Sequence, residues 1–151
     1  MITGLNWLIG QAVTVTADGT RLTGTYTVNP SGEITLAANT YDVIFIGVNG
    51  NADVGSLPPE GGSPFGNSQG QQKRLVSLDV RFLDTMNVSF GPSSSSLVSK
   101  TLTPASGIWF SKTERLIPNN GWDVESKYYI RQSEPYPLNI LMVVAKLETN
   151  E

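Results

Sequence analysis

Apolar side chains take every second position over Val13, Val15 and Ala17, and again over Val76, Leu78, Val80 and Phe82. A period of two is the mark of a β-strand with one face buried and the other solvated. The first run alternates with Thr14 and Thr16 and ends on Asp18-Gly19. Both of these residues tolerate positive φ, so they predict a tight hairpin between strands at 12–17 and 20–28. The second run alternates with Ser77, Asp79 and Arg81 and is the clearest half-buried strand in the chain. Ahead of both, Leu5, Leu8 and Ile9 recur at helical spacing. They predict a short helix over 1–9, with Thr3 as N-cap and Trp7 packed inward.

Further strands are expected at 33–37, 42–48, 86–90, 97–102, 107–111, 127–132 and 138–147. Turn signals separate them at Asn29-Pro30-Ser31-Gly32, Asp84-Thr85, Gly91-Pro92 with the serines 93–96, and Pro118-Asn119-Asn120-Gly121. Val43-Ile44-Phe45-Ile46 and the stretch Leu138–Leu147 are apolar without alternation, which predicts cover on both faces. For the first of these the cover is the sheet itself or another subunit. About nine or ten short strands with turns between them predict an all-β chain, an antiparallel β-sandwich or barrel. It carries a short N-terminal helical turn and one long Gly/Pro-rich loop. Val13, Val15, Val76, Leu78, Val80, Phe82, Ile130, Leu141 and Val143 are expected in one core.

That loop, residues 49–72, holds only two charged residues, Asp53 and Glu60, and little apolar material. Such a stretch is expected not to order on its own. Residues 1–151 therefore read as a single β domain with a flexible excursion at 49–72. A plain surface loop is one reading. The other is an arm that orders against the sheet edge of a neighbouring subunit. Leu57 and Phe65 are its candidate anchors, and Lys73 and Arg74, where the strand resumes, are the remaining subunit-interface candidates.

Composition narrows the function. Charged residues make up 15% of the chain, net charge is −3, and the ten basic residues are scattered. A tight nucleic-acid binder needs them clustered. With no cysteine and no histidine, Ser-His-Asp and Cys-His catalysis and the usual zinc sites are excluded. A calcium site is conceivable around Asp18, Asp42 or Asp53, but no spacing resembles an EF-hand loop. Asp123 and Glu125 beside Trp122 form the one carboxylate pair of glycosidase type, but their place between Asn119-Asn120-Gly121 and Ser126-Lys127 favours a solvated turn with an aromatic anchor. No catalytic residue, cofactor or metal is expected. The start lacks a basic region followed by an apolar run, so no signal peptide and no membrane anchor are expected, and synthesis in a cytoplasm is.

The segment Gly4-Leu5 to Leu8-x-Gly10, then Val13-x-Val15-x-Ala17-Asp18-Gly19, resembles tail nozzle proteins (tail tubular protein B-like) of short-tailed bacteriophages. The resemblance continues in order along most of the chain. Gln69-Gly70-Gln71-Gln72-Lys73-Arg74 is similar to the family's Gly-Lys-Arg entry to a strand. Val76–Leu83 and Asp84–Gly91 follow, then Gly121-Trp122-Asp123, and last Pro135-x-Pro137-Leu138 with a closing apolar strand. Where the family often has Gly-Leu-Pro-Tyr, this chain has Gly47-Val48-Asn49-Gly50. The match spans the last part of a full nozzle protein. It implies a structural subunit of the virion tail, a homo-oligomeric ring, commonly sixfold, that meets an adaptor and lets double-stranded DNA pass during ejection. The alternative is a carbohydrate- or receptor-binding β-sandwich of a tail fibre; a hydrolase using Asp123 and Glu125 is a third reading.

Overall fold

The computed structural model describes residues 1–37, 40–63, 66–67, 70–103 and 109–150. Among the described residues there are thirteen strands: β1 Ala12–Ala17, β2 Thr20–Arg21, β3 Tyr26–Thr27, β4 Ile44–Gly47, β5 Ala52–Gly55, β6 Gly62–Ser63, β7 Gly66–Asn67, β8 Lys73–Phe82, β9 Val88–Ser93, β10 Ser96–Lys100, β11 Thr113–Leu116, β12 Tyr129–Gln132 and β13 Ile140–Thr149. Every pairing among these strands is antiparallel. Where one domain is expected, the chain makes two compact units: Met1–Asn51 with Ser133–Tyr136, and Ala52–Gln132 with Pro137–Glu151. Each has its own apolar cluster, so Val13 and Val15 do not share a core with Leu78 and Phe82.

In the first unit β1 pairs with β2, β3 and β4. The Asp18-Gly19 hairpin forms as expected, with φ of 48° and 79° and Ala17 opposite Thr20. The alternation of β1 predicts a solvated Thr face, yet Thr14 and Thr16 are buried along with Val13, Val15 and Ala17. The Thr16 hydroxyl donates to the Tyr136 hydroxyl at 2.9 Å, so a returning segment from far along the chain covers that face. The predicted helix shrinks to one 3-10 turn, Asn6–Leu8, with no side-chain cap. Gly4 at φ 88° breaks it from the preceding residues, and Ile2 instead bridges Ile34. Without a helical stripe to pack, Trp7 stands 75% exposed. The expected strand at 33–37 is only that bridge at Ile34. The Asn29 turn is built as expected, its carboxamide oxygen accepting from the Ser31 and Glu33 amides at 2.9 and 3.0 Å.

The second unit is a two-sheet sandwich. One sheet has the order β10-β9-β12-β5 and the other β11-β8-β13. Leu75, Leu78, Val80 and Phe82 of β8 meet Val88, Phe90, Leu116 and Ile130 in the cluster between them, with Phe82 edge-on to Phe110 at 6.2 Å. A separate short hairpin joins β6 and β7. Two antiparallel seams are tied by bidentate cross-strand pairs, Arg115 with Asp79 and Arg131 with Asp53. At Gly91 an added Cβ would lie 1.8 Å from the Ser96 carbonyl oxygen, so glycine alone fits where β9 and β10 change register.

Residues 52–60, expected to be unstructured, form the edge strand β5 and continue along the sandwich. Ala52–Gly55 pair with Gln132–Tyr129, the Ser56 amide donates to Tyr128 O at 2.9 Å, and the Tyr128 amide donates back to Ser56 Oγ. Main-chain hydrogen bonds hold this segment, so its poverty in apolar side chains does not prevent order. Among the described residues no helix is long and apolar enough to cross a membrane.

Candidate functional site

Two places in the sandwich unit gather side chains that its core does not use. One is the corner where β8 begins. The neighbouring edge of β8 is occupied by β11 only as far as Leu78; beyond it the chain from Asn119 to Ser126 takes over. The Asn120 carboxamide lies along Leu75, its nitrogen donating to Leu75 O at 2.9 Å and its oxygen accepting from Leu75 N at 3.3 Å. Asp123 and Lys73 exchange main-chain hydrogen bonds, both 2.8 Å. The Ser126 hydroxyl donates to Lys73 O at 2.6 Å, with Ser126 held at φ 44°.

This scaffold sorts the two basic interface candidates. Lys73 is 1% exposed; its ammonium donates to Pro59 O at 3.2 Å and faces Glu60 at 3.5 Å. It fastens the 59–60 segment within its own unit, so it presents no subunit surface. Arg74 points the other way. Its guanidinium meets Glu148 at 2.6 Å and stacks over Trp122, 5.5 Å from the ring centroid. Trp122 is 42% exposed and walls a depression of about 230 Å³, shared with Pro92, Asn119, Asp123 and Lys127. Leu57 stands out from the sandwich at 86% exposure. Phe65 lies outside the described residues.

The carboxylates weighed for chemistry are engaged separately. Asp123 sits at an isolated β-bridge to Lys73 and Glu125 on the bend that follows, so the two do not share the face of a strand. Asp123 accepts from the Ser126 amide at 3.3 Å, and Glu125 pairs with Lys127 at 2.7 Å; that hydrogen bond raises the Lys127 ammonium above its ordinary value. The Asp18 carboxylate accepts from the Asp42 and Val43 amides. Asp53 is held by Arg131, whose hydrogen bond lowers its carboxyl below the usual range. Asp79 is lowered in the same way by Arg115. Among the described residues no group of three or more acidic side chains could hold a metal ion.

The second place is the outward face of the β11-β8-β13 sheet. Ile140, Val143, Ala145 and Leu147 turn toward the core. Leu141, Met142 and Val144 turn away from it, exposed by 60%, 50% and 50%. β13 is ten residues long, and on its far edge no strand pairs with it among the described residues. Ile117 and Val76 add apolar surface across the same sheet, around a depression shared with Asp79, Arg115 and Lys146. The sequence reading placed Val76 and Leu141 in the core and expected the apolar run Leu138–Leu147 to be covered on both faces; within this chain the outward face is exposed.

No protein-family model matches the chain, and no curated protein matches it.

Proposed function

We propose that this chain is a structural subunit of a bacteriophage virion tail, of the nozzle kind. In this reading it assembles with copies of itself into a ring, meets an adaptor protein, and lines part of the channel through which DNA is ejected. The observation that carries the reading is the outward side of β13. An edge strand ten residues long, without proline and uncharged from Ile140 to Ala145, with Lys146 and Glu148 only toward its end, is a template for another chain, and monomeric proteins blunt such edges more fully. An exposed apolar face of this kind marks a protein interaction surface. Leu57, exposed on the same unit, is a further contact of the same sort.

The electrostatics fit a conduit that does not grip its cargo. Seven of the ten basic residues, Arg21, Lys73, Arg74, Lys100, Arg115, Lys127 and Arg131, are each ion-paired with a carboxylate. Phosphate contacts would have to break those pairs, so passing DNA meets no row of free cations. Electron microscopy of the concentrated protein tests the reading. Closed rings with an open centre are expected. Single particles at every concentration, or open filaments, would overturn it, because a ring demands a head-to-tail contact that closes.

A further inference from the structure

We infer that the depression beside Trp122 is a binding subsite for a neutral pyranose sugar, a role beyond ring assembly. The ring of Trp122 is a fixed platform. Arg74 lies over it 5.5 Å from its centroid and is itself held by Glu148. The turn that carries the tryptophan is tied to β8 at both sides, through Asn120 to Leu75 and through Asp123 and Ser126 to Lys73. The platform therefore loses little freedom when a ligand stacks on it.

The surroundings supply what a sugar needs. The apolar C–H face of a pyranose packs on an indole as another flat apolar group does, and an amphipathic ring suits a site that is apolar at one end and wet at the other. Asn119 and Asp123 are exposed beside the ring and line the same depression. A carboxamide offers both donor and acceptor, and a carboxylate accepts two hydroxyl protons. Together they place a donor and acceptors beside the ring for sugar hydroxyls. Arg74 lies over the indole but is not part of the depression's lining, which Trp122 shares with Gly121.

Charge selects a neutral sugar over an acidic one. The two cations at the site are already neutralised, Arg74 by Glu148 and Lys127 by Glu125. Asp123 adds a negative charge on the rim. A uronic or sialic acid would bring a carboxylate to a place with no free cation to receive it. The other strongly exposed tryptophan, Trp7, has no such company: it sits on a 3-10 turn between Asn6 and Leu8.

The test is a titration of the full chain at low concentration with glucose, galactose, mannose and N-acetylglucosamine, followed through the indole N–H signals in nuclear magnetic resonance. One or more of these sugars is expected to move the Trp122 signal, saturating in the millimolar range, while the Trp7 signal stays in place. Trp122→Ala is expected to weaken that binding at least about tenfold, in line with the loss of one stacking contact, and Trp7→Ala to leave it unchanged. Glucuronic acid is expected to bind more weakly than glucose. A Trp122 signal that none of the neutral sugars moves would overturn the proposal even if Trp122→Ala failed to fold. Shifts elsewhere that persist in Trp122→Ala would overturn it too. Dilute conditions keep this result separate from ring assembly, whose failure would leave the titration intact.

Discussion

β8 and β13 lie side by side in one sheet, each ten residues long, and they put apolar side chains to opposite uses. β8 buries Leu75, Leu78, Val80 and Phe82 almost completely and turns Arg74 and Arg81 outward. β13 is apolar on both sides, and its outward Leu141, Met142 and Val144 remain half exposed or more. The first strand has as much apolar surface as its own unit can cover. The second has more. Surplus of this kind, on an edge with which no strand pairs among the described residues, does not stabilise a monomer; the proposed contact between chains rests on it.

The comparison breaks most visibly under truncation. Leu78→Ala or Phe82→Ala should destabilise the sandwich unit by about 2–5 kcal/mol, from lost burial and the cavity left behind. Val144→Ser should change it by no more than about 0.5 kcal/mol, as for ordinary surface positions. Denaturant unfolding of the dilute protein measures both; similar losses for the two strands would mean that β13's outward face is core after all. Next in size is Gly91→Ala. The new methyl group meets the Ser96 carbonyl, so β10 must move, at a cost on the order of 1–3 kcal/mol.

The same two strands explain what was legible in the sequence. The Asp18-Gly19 hairpin and the extent of β8 could be read because turn chemistry and alternation are local. Val76 and Leu141 were misassigned because β8 and β13 change register twice. Lys146 pairs with Ser77 but Leu147 with Leu75, and Ile140 pairs with Phe82 but Met142 with Arg81. Each shift leaves one residue without a partner, Val76 in β8 and Leu141 in β13, and resets which side chains face inward. Nothing in a single strand's sequence shows where its partner slips. β5 was missed for another reason: Ala52-Asp53-Val54-Gly55 has little to bury, and its place is set by the free edge of β12. At the candidate site Trp122 was legible only as the aromatic anchor of a solvated turn. The burial of Lys73 was not, because its partners at Pro59 and Glu60 belong to the stretch that read as structureless.

Smaller effects sharpen the account. Amides of the Ala52–Ser56 segment should exchange slowly with solvent in the isolated chain, in contrast to a free arm. Fast exchange there would restore the picture of an excursion that orders only on a neighbour. At the β8 corner, Glu60→Gln removes the carboxylate facing a buried ammonium and should cost about 1 kcal/mol, the upper end for a half-exposed pair. Lys73→Met, which removes the charge and keeps the bulk, should cost less. Equal costs would mean that the ion pair itself, and not the burial of an unmatched charge, holds the 59–60 segment.

The smallest effect is on pH. Asp53 and Asp79 have carboxyls lowered by Arg131 and Arg115. Their contribution is present above the ordinary carboxylate value near 3.8 and is lost as pH falls through the lowered values. Asp53→Asn with Asp79→Asn should flatten that part of the stability profile. An unchanged acid limb would show that other carboxylates set it. Tyr136 acts at the other end. Burial raises its phenol, so the fold should weaken as pH rises past the ordinary tyrosine value of about 10, and Tyr136→Phe should remove that loss.

The central claim is that β13's outward side joins copies of this chain. Sedimentation of the wild-type protein and of Val144→Lys over a range of concentrations tests it most directly. The wild type should form one closed oligomer of defined mass, and Val144→Lys should sediment as a monomer with unchanged unfolding. A wild type that stays monomeric throughout, or an oligomer that Val144→Lys leaves intact, would contradict it.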